Sequence, residues 1–211
     1  MALWSWPNSQ WVKVPLYRDA HSGKALIYGT GPSLATAPTP PDRLRISLNF
    51  AFLKIEPHIA VAMDFPALFG DLVHRPFMKV FRGNYGVELV DGREARLYPG
   101  TFFADTDMKN RPHEAMFNHA GDDTVFIWTK TTLAVAVHLA LWLGYRNLGF
   151  AGVDLSNNLV PGQPMTSTDQ TLEQEYQWMR WFAKESKRRG IILGTYSQES
   201  RLTEIMPILE A

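Results

Sequence analysis

Apolar positions in this chain fall in short, nearly unbroken runs, and most runs stop at a glycine, an asparagine or an acid. Lys24 to Gly29, KALIYG, is the first; apolar and closed by glycine, it predicts a buried strand. LRISLNFAFLKI predicts a second strand near Arg45 to Leu48 that turns at Asn49 into a short helix. PHIAVAMD (57–64) predicts a third strand ending on Asp64, and FMKVFR (77–82) a fourth. From 83 to 123 the periodicity weakens, with a hairpin signal at Asp91-Gly92 followed by a polar stretch rich in His, Asp and Asn.

Thr131 to Leu143 is apolar nearly all round, which predicts a helix buried on more than one side and closed by Gly144. RNLGFAGVD predicts another buried strand, ending on Asp154. The stretch from Ser167 to Gly190 is the clearest amphipathic helix. Thr168 or Asp169 can cap it, Glu173 and Glu175 sit early, and Lys187, Arg188 and Arg189 sit late, as the helix dipole prefers. IILGTYS predicts the last strand, and Ser200 opens a terminal helix.

Strand, glycine, helix, then strand with an acid at its tip is the order expected of an α/β protein: a Rossmann-like open, mostly parallel sheet with helices on both faces. At 211 residues the chain fits a single Rossmann-like domain over 1–211. A Trp-rich arm (1–20) carries Trp4, Trp6 and Trp11, and a variable loop or hairpin insertion covers about 83–123. The arm either lies on its own domain or reaches a partner subunit, which would make a homo-oligomer. In sheets of this kind ligands sit outside the carboxyl ends of the strands, where Gly29 to Ser33, Asn49, Asp64 and Asp154 would collect.

A formal net charge of zero argues against a broad nucleic-acid-binding face. The chain has no cysteine, which rules out a disulfide framework and thiolate chemistry and fits a cytoplasmic protein. The start of the sequence does not read as a signal peptide. The longest apolar stretch, TTLAVAVHLALWLGY, is too short for a membrane span and is interrupted by His138, expected to be a hydrogen-bonded core histidine.

Gly29-Thr30-Gly31-Pro32-Ser33 carries the first chemical suggestion. Glycines on a strand-to-helix turn let amides face outward, and with a helix N-terminus they can hold a phosphate; Pro32 suits the helix's first turn. A tight turn without ligand explains the same residues, since the sequence is neither a Walker loop nor the full dinucleotide fingerprint.

ALIYGTGPSL resembles the G-N-G-P-S-L motif that opens the bacterial sialyltransferases of glycosyltransferase family forty-two. A related motif opens the domain shared by flagellin-glycosylation accessory proteins and archaeal hydroxymethylpterin pyrophosphokinase. RISLNFAFL, TKTTLAVAVHLALWLGYRNLGFAGVDLSNN and IILGTYSQESRLTEI resemble later segments in the same order, leaving 83–123 unmatched. The resemblance implies a nucleotide-sugar or nucleotide ligand on Gly29, Thr30, Gly31, Pro32, Ser33 and Asn49, with Thr131 and Thr132 as the hydroxyl pair beneath the donor. Plain N-capping is the other account of that pair. Three departures stand out. Thr30 replaces the motif's asparagine, and the family's base histidine has no counterpart between about Asn158 and Glu173. Ser156 also stands where a tyrosine is expected.

Asp64 and Asp154 are therefore the candidate catalytic residues, able to orient a hydroxyl, act as base or hold Mg²⁺ through water. Each can equally be a cap. His113 and His119, near Asp105, Asp107, Asp122 and Asp123, match no zinc signature, so no metal site is assigned and a solvated loop is expected. Arg82 and Lys130 are candidate phosphate neutralisers. Three functions follow: sugar transfer from a nucleotide-sugar donor to an unknown acceptor, Mg²⁺-dependent diphosphate transfer from ATP, or non-catalytic nucleotide binding, in a family whose small members also occur in phage genomes.

Overall fold

Short apolar runs with both faces covered make a parallel sheet, and that is what the sequence builds. The structure, a computed structural model, describes residues 3–5, 12–14, 21–64, 66–82, 89–90, 93–94, 101–104, 106–107, 116–117, 126–127, 131–156 and 168–210. The strands are β1 (Leu3–Ser5), β2 (Val12–Val14), β3 (Lys24–Tyr28), β4 (Arg43–Leu48), β5 (Ile59–Ala62) and β6 (Met78–Arg82). They continue with β7 (Leu89–Val90), β8 (Arg93–Glu94), β9 (Thr101–Ala104), β10 (Thr106–Asp107), β11 (Phe126–Ile127), β12 (Asn147–Ala151) and β13 (Ile192–Thr195). The α-helices are α1 (Thr132–Trp142) and α2 (Asp169–Arg188).

Among the described residues the main sheet has nine strands in the order β13-β12-β3-β4-β5-β6-β9-β1-β2. From β13 to β9 every pairing is parallel; β1 then runs antiparallel to both β9 and β2. The α/β, Rossmann-like expectation holds. Two three-residue strands of the N-terminal arm join the sheet, too short to show a period in the sequence. The stretch 83–123, expected as an insertion, supplies β9 to the sheet. The hairpin expected at Asp91-Gly92 is flanked by the antiparallel pair β7–β8, and residues 91–92 themselves lie outside the described residues, as do Trp6 and Trp11.

One face of the sheet is covered by α1 and α2. Every residue of α1 is buried, because it is packed against β3, β4 and β5 on one side and the rest of the core on the other. Its near-uniform apolarity follows from that double burial. No described helix is long and apolar enough to cross a membrane. α2 turns an apolar stripe inward through Tyr176, Trp178, Met179 and Phe182, with Thr168 Oγ1 accepting from the Thr171 amide at its start and Gly190 (φ 70°) at its end. The opposite face is covered by 3-10 turns, Pro32–Thr36, Asn49–Leu53 and Pro66–His74, bearing Leu34, Ala51, Phe52, Phe69 and Leu72.

Phe182 stands between two parallel rings: Trp178 with centroids 5.4 Å apart and Phe117 at 5.8 Å. Truncating it leaves a cavity that neither ring can fill without losing the other contact. Phe182→Ala is expected to lower the unfolding free energy by about 3–5 kcal/mol in urea titration. Ile192→Ala, at a side chain 58% exposed on the edge strand, is expected to change it by less than about 0.5 kcal/mol.

Candidate functional site

Three neighbouring strand ends define the site. β3 runs into Gly29–Gly31, β4 into Leu48 and Asn49, and β12 into Gly152–Ser156, and all three segments line one cleft of about 130 Å³. Chain order reverses here: β4, β5 and β6 spread to one side of β3, and β12 and β13 lie on the other. That is where an open α/β sheet parts to form a ligand crevice. The start of α1 (Thr131, Thr132, Leu133) and the first turns of α2 (Thr171, Leu172, Glu175) complete the walls.

The glycines are explained by close approach of two turns. The Gly29 amide donates to Ala151 O at 2.8 Å and the Gly31 amide to Gly152 O at 2.7 Å. A β-carbon on Gly29 would strike the Gly152 carbonyl, and one on Gly31 would strike the Asp154 carboxylate. Asp154 takes the next two donors of the turn: its Oδ2 accepts from the Ser33 amide at 2.8 Å, and its Oδ1 accepts from Ser33 Oγ. Ser33 Oγ and Ser197 Oγ are 2.5 Å apart, and the Gly152 amide donates to both at 3.2 Å.

These bonds leave few of the turn's amides to seat a phosphate. Three of them are consumed inside the protein, Pro32 has none, and of this turn only the Thr30 amide has no partner among the described residues. The segment that follows is a five-residue 3-10 turn with Pro32 at its start, where an α-helix was expected, so it contributes little dipole. Gly29, Thr30 and Gly31 line the cleft; Pro32 and Ser33 lie behind it.

Asn49 and Thr132 do meet. Thr132 Oγ1 donates to Asn49 Oδ1 at 3.1 Å, linking the tip of β4 to the first turn of α1. Asn49 has φ 47° and Leu155 φ 52°, both in the left-handed region that non-glycine residues avoid, and both line the cleft. Among the described residues these are the two non-glycine cases, and such outliers concentrate where a surface is shaped for a ligand.

At α1 the N-cap residue Thr131 is extended (φ −124°, ψ 153°), and its side chain caps no amide of the helix. Instead Thr131 Oγ1 donates to Glu175 Oε2 at 2.5 Å. Simple N-capping by this hydroxyl is thereby set aside, and the start of α1 lines the cleft. Glu175, only 3% exposed, was not among the sequence candidates. The signal was present: at i+3 from Leu172 and i+4 to Met179 it is a carboxylate on the apolar stripe of an amphipathic helix.

The two candidate acids separate. Asp154 lines the cleft but spends both oxygens on Ser33, as a turn clamp does. Asp64 is exposed one residue beyond Met63, past the end of β5, and is not among the cleft-lining residues. A magnesium site shared by the two is not supported by this placement, and no group of three acids or histidines able to hold a metal is present among the described residues. Arg82 ends β6, away from the cleft lining, and His138 is buried inside α1. Lys130, His113, His119, Asp105, Asp122 and Asp123 lie outside the described residues, as does the side chain of Asp107.

Asp154→Ala would remove both carboxylate acceptors from the part-buried Ser33 amide and hydroxyl, the hydroxyl keeping Ser197 Oγ within reach, and the cost is about 1–3 kcal/mol. That loss is expected in chemical denaturation, whereas Asp64→Ala should stay within about 0.5 kcal/mol of the parent. Equal effects would contradict the clamp.

No protein-family model matches the chain, and no curated protein does. Two solved structures are similar over most of its length, both of the sialyltransferase CstII from Campylobacter jejuni. One, in complex with cytidine-5'-monophosphate, has TM-score 0.50 and 14% identity, covering 89% of this chain and 85% of that one. The other, in complex with CMP-3FNeuAc, has TM-score 0.51 and 14% identity, covering 89% and 86%. At that identity the likeness speaks for architecture: this chain has a sialyltransferase-like α/β fold.

Proposed function

We propose that the protein binds a nucleotide-sugar donor in the switch-point cleft and transfers its sugar, as a glycosyltransferase. The observation that carries this reading is the convergence of Gly29–Gly31, Asn49 and the Thr131-Thr132 pair on one cleft from three separate segments, with Thr132 bonded to Asn49. The fold's likeness to an enzyme solved with cytidine-5'-monophosphate and with CMP-3FNeuAc supports a cytidine donor.

The donor phosphate is assigned to the N-terminal turn of α1, because the glycine turn has spent its amides and α1 has not been capped by Thr131. Backbone N–H groups and the dipole favour an anion there, assisted by the Thr132 hydroxyl. The nucleoside then lies toward Gly29–Gly31 and Asn49, whose side chain, held by Thr132, offers its amide nitrogen to ribose or base. Close approach over Gly29 and Gly31 needs the absence of side chains that those residues provide. The sugar projects toward the α2 wall.

Calorimetry with cytidine, uridine and guanosine sugar donors is expected to show micromolar binding of a cytidine donor. Asn49→Ala should weaken it about tenfold, equivalent to about 1.4 kcal/mol, and Thr132→Val should do the same with little loss of fold stability. Absence of binding by every donor in the panel would refute the reading.

A further inference from the structure

We propose that Glu175 is the proton acceptor of the cleft, the residue that receives the acceptor's hydroxyl proton during sugar transfer; this rests on the donor-site reading above. The reaction needs a base, and the described lining contains no histidine, lysine or arginine and two carboxylates, Asp154 and Glu175. Asp154 is committed to the Ser33 amide and hydroxyl at the back of the glycine turn. Glu175 stands on a different wall, at the second turn of α2, where it reaches the cleft between Leu172 and the start of α1.

Its setting is that of a positioned base. The carboxylate is 3% exposed on a helix stripe otherwise made of Leu172, Tyr176 and Met179. An ionised group in such a place is costly unless something holds it. Thr131 Oγ1 does so from 44 residues away in sequence, donating to Oε2 at 2.5 Å. The hydroxyl fixes the orientation of the carboxylate, as the third member of a nucleophile–base pair orients its base. The position fits the substrate order too: donor phosphate on α1, sugar above it, acceptor against α2.

The step balances without any further reagent. The acceptor hydroxyl oxygen forms the new bond to the anomeric carbon as its O–H bond breaks and the proton passes to a Glu175 carboxylate oxygen. The bond from the anomeric carbon to the donor phosphate oxygen breaks, and its electron pair leaves with the nucleoside monophosphate. Water in place of the acceptor gives donor hydrolysis by the same transfer.

The test uses the full chain with CMP-N-acetylneuraminate as probe, following binding by calorimetry and release of CMP with water as acceptor. Glu175→Gln keeps an oxygen for Thr131 but takes up no proton. It is expected to bind the probe within about threefold of the parent while kcat falls at least about 100-fold, the range general-base removal produces. Glu175→Ala should be equally slow and should regain turnover when formate is added, which a merely structural role would not permit. Turnover by Glu175→Gln above a tenth of the parent value overturns the proposal, and so does loss of probe binding in step with turnover. A parent protein that binds the probe without hydrolysing it also overturns the proposal and leaves the donor site standing. A parent that binds no donor removes the donor site and Glu175's role together.

Discussion

The cleft exists because two turns are welded back to back. Gly29 and Gly31 donate to carbonyls of the β12 exit, the Gly152 amide returns to Ser33 and Ser197, and Asp154 closes the joint from behind. Adjacent parallel strands do not by themselves keep their exits in contact, since each chain leaves toward its own crossover. Here the exits of β3 and β12 stay in register past the sheet, so the opening forms above them at a fixed width. The absent β-carbons are a condition of that contact: glycine at 29, 31 and 152 lets backbone touch backbone. The glycine-rich turn is thus a structural joint that supports one wall of the cleft.

Much of this architecture is legible in the sequence, and for identifiable reasons. KALIY, IAVA and NLGFA are runs whose apolarity on both faces only a covered parallel strand explains. TLAVAVHLALW is too apolar for any surface helix. The amphipathic α2, its Thr168 cap and its Gly190 stop follow from spacing alone. What spacing does not encode is partnership at long range. Nothing local announces that Asp154 will reach Ser33 across 121 positions, or that Thr131 will turn from its own helix toward Glu175. A reading from local pattern leaves the glycine amides open or turned inward and the threonine a cap or not, and the tertiary contacts decide where those donors go. The short strands β1, β2 and β9 fail to register for a simpler reason: with three or four residues a period of two barely repeats.

The site candidates divide along the same line. Residues expected at strand tips did arrive there, because a parallel sheet puts every strand's carboxyl end on one edge. Asp64 arrives at that edge too but stands off the cleft, since β5 lies two strands away from β3, whereas β4 and β12 are its neighbours. Topological order, which the sequence does not state, decides which tips share a cavity. Glu175 was hidden differently: it was read for its helix dipole, although its place on the apolar stripe was visible.

The charge of the cleft places a demand on its ligand. Among its described lining residues are two carboxylates and no cationic side chain, so an anion bound as proposed would depend on amides at the head of α1 and on hydroxyls. A helix N-terminus carries roughly half a unit of positive charge, and Glu175 lies against its N-cap through Thr131. A diphosphate brought beside that carboxylate adds a second negative charge that such a lining does not offset, and at about 4 Å each uncompensated pair costs about 4 kcal/mol at the effective dielectric of a protein surface. The phosphodiester of a nucleoside-monophosphate sugar presents one charge, spread over two oxygens, which the proposed placement sets against the first-turn amides and Thr132. The same carboxylate that makes a diphosphate expensive leaves room for a neutral hydroxyl, which gains from a charged hydrogen-bond acceptor. On the proposed donor site, a singly charged phosphodiester at α1 and an uncharged hydroxyl at α2 are the pairing that a lining of two carboxylates and no cationic side chain favours.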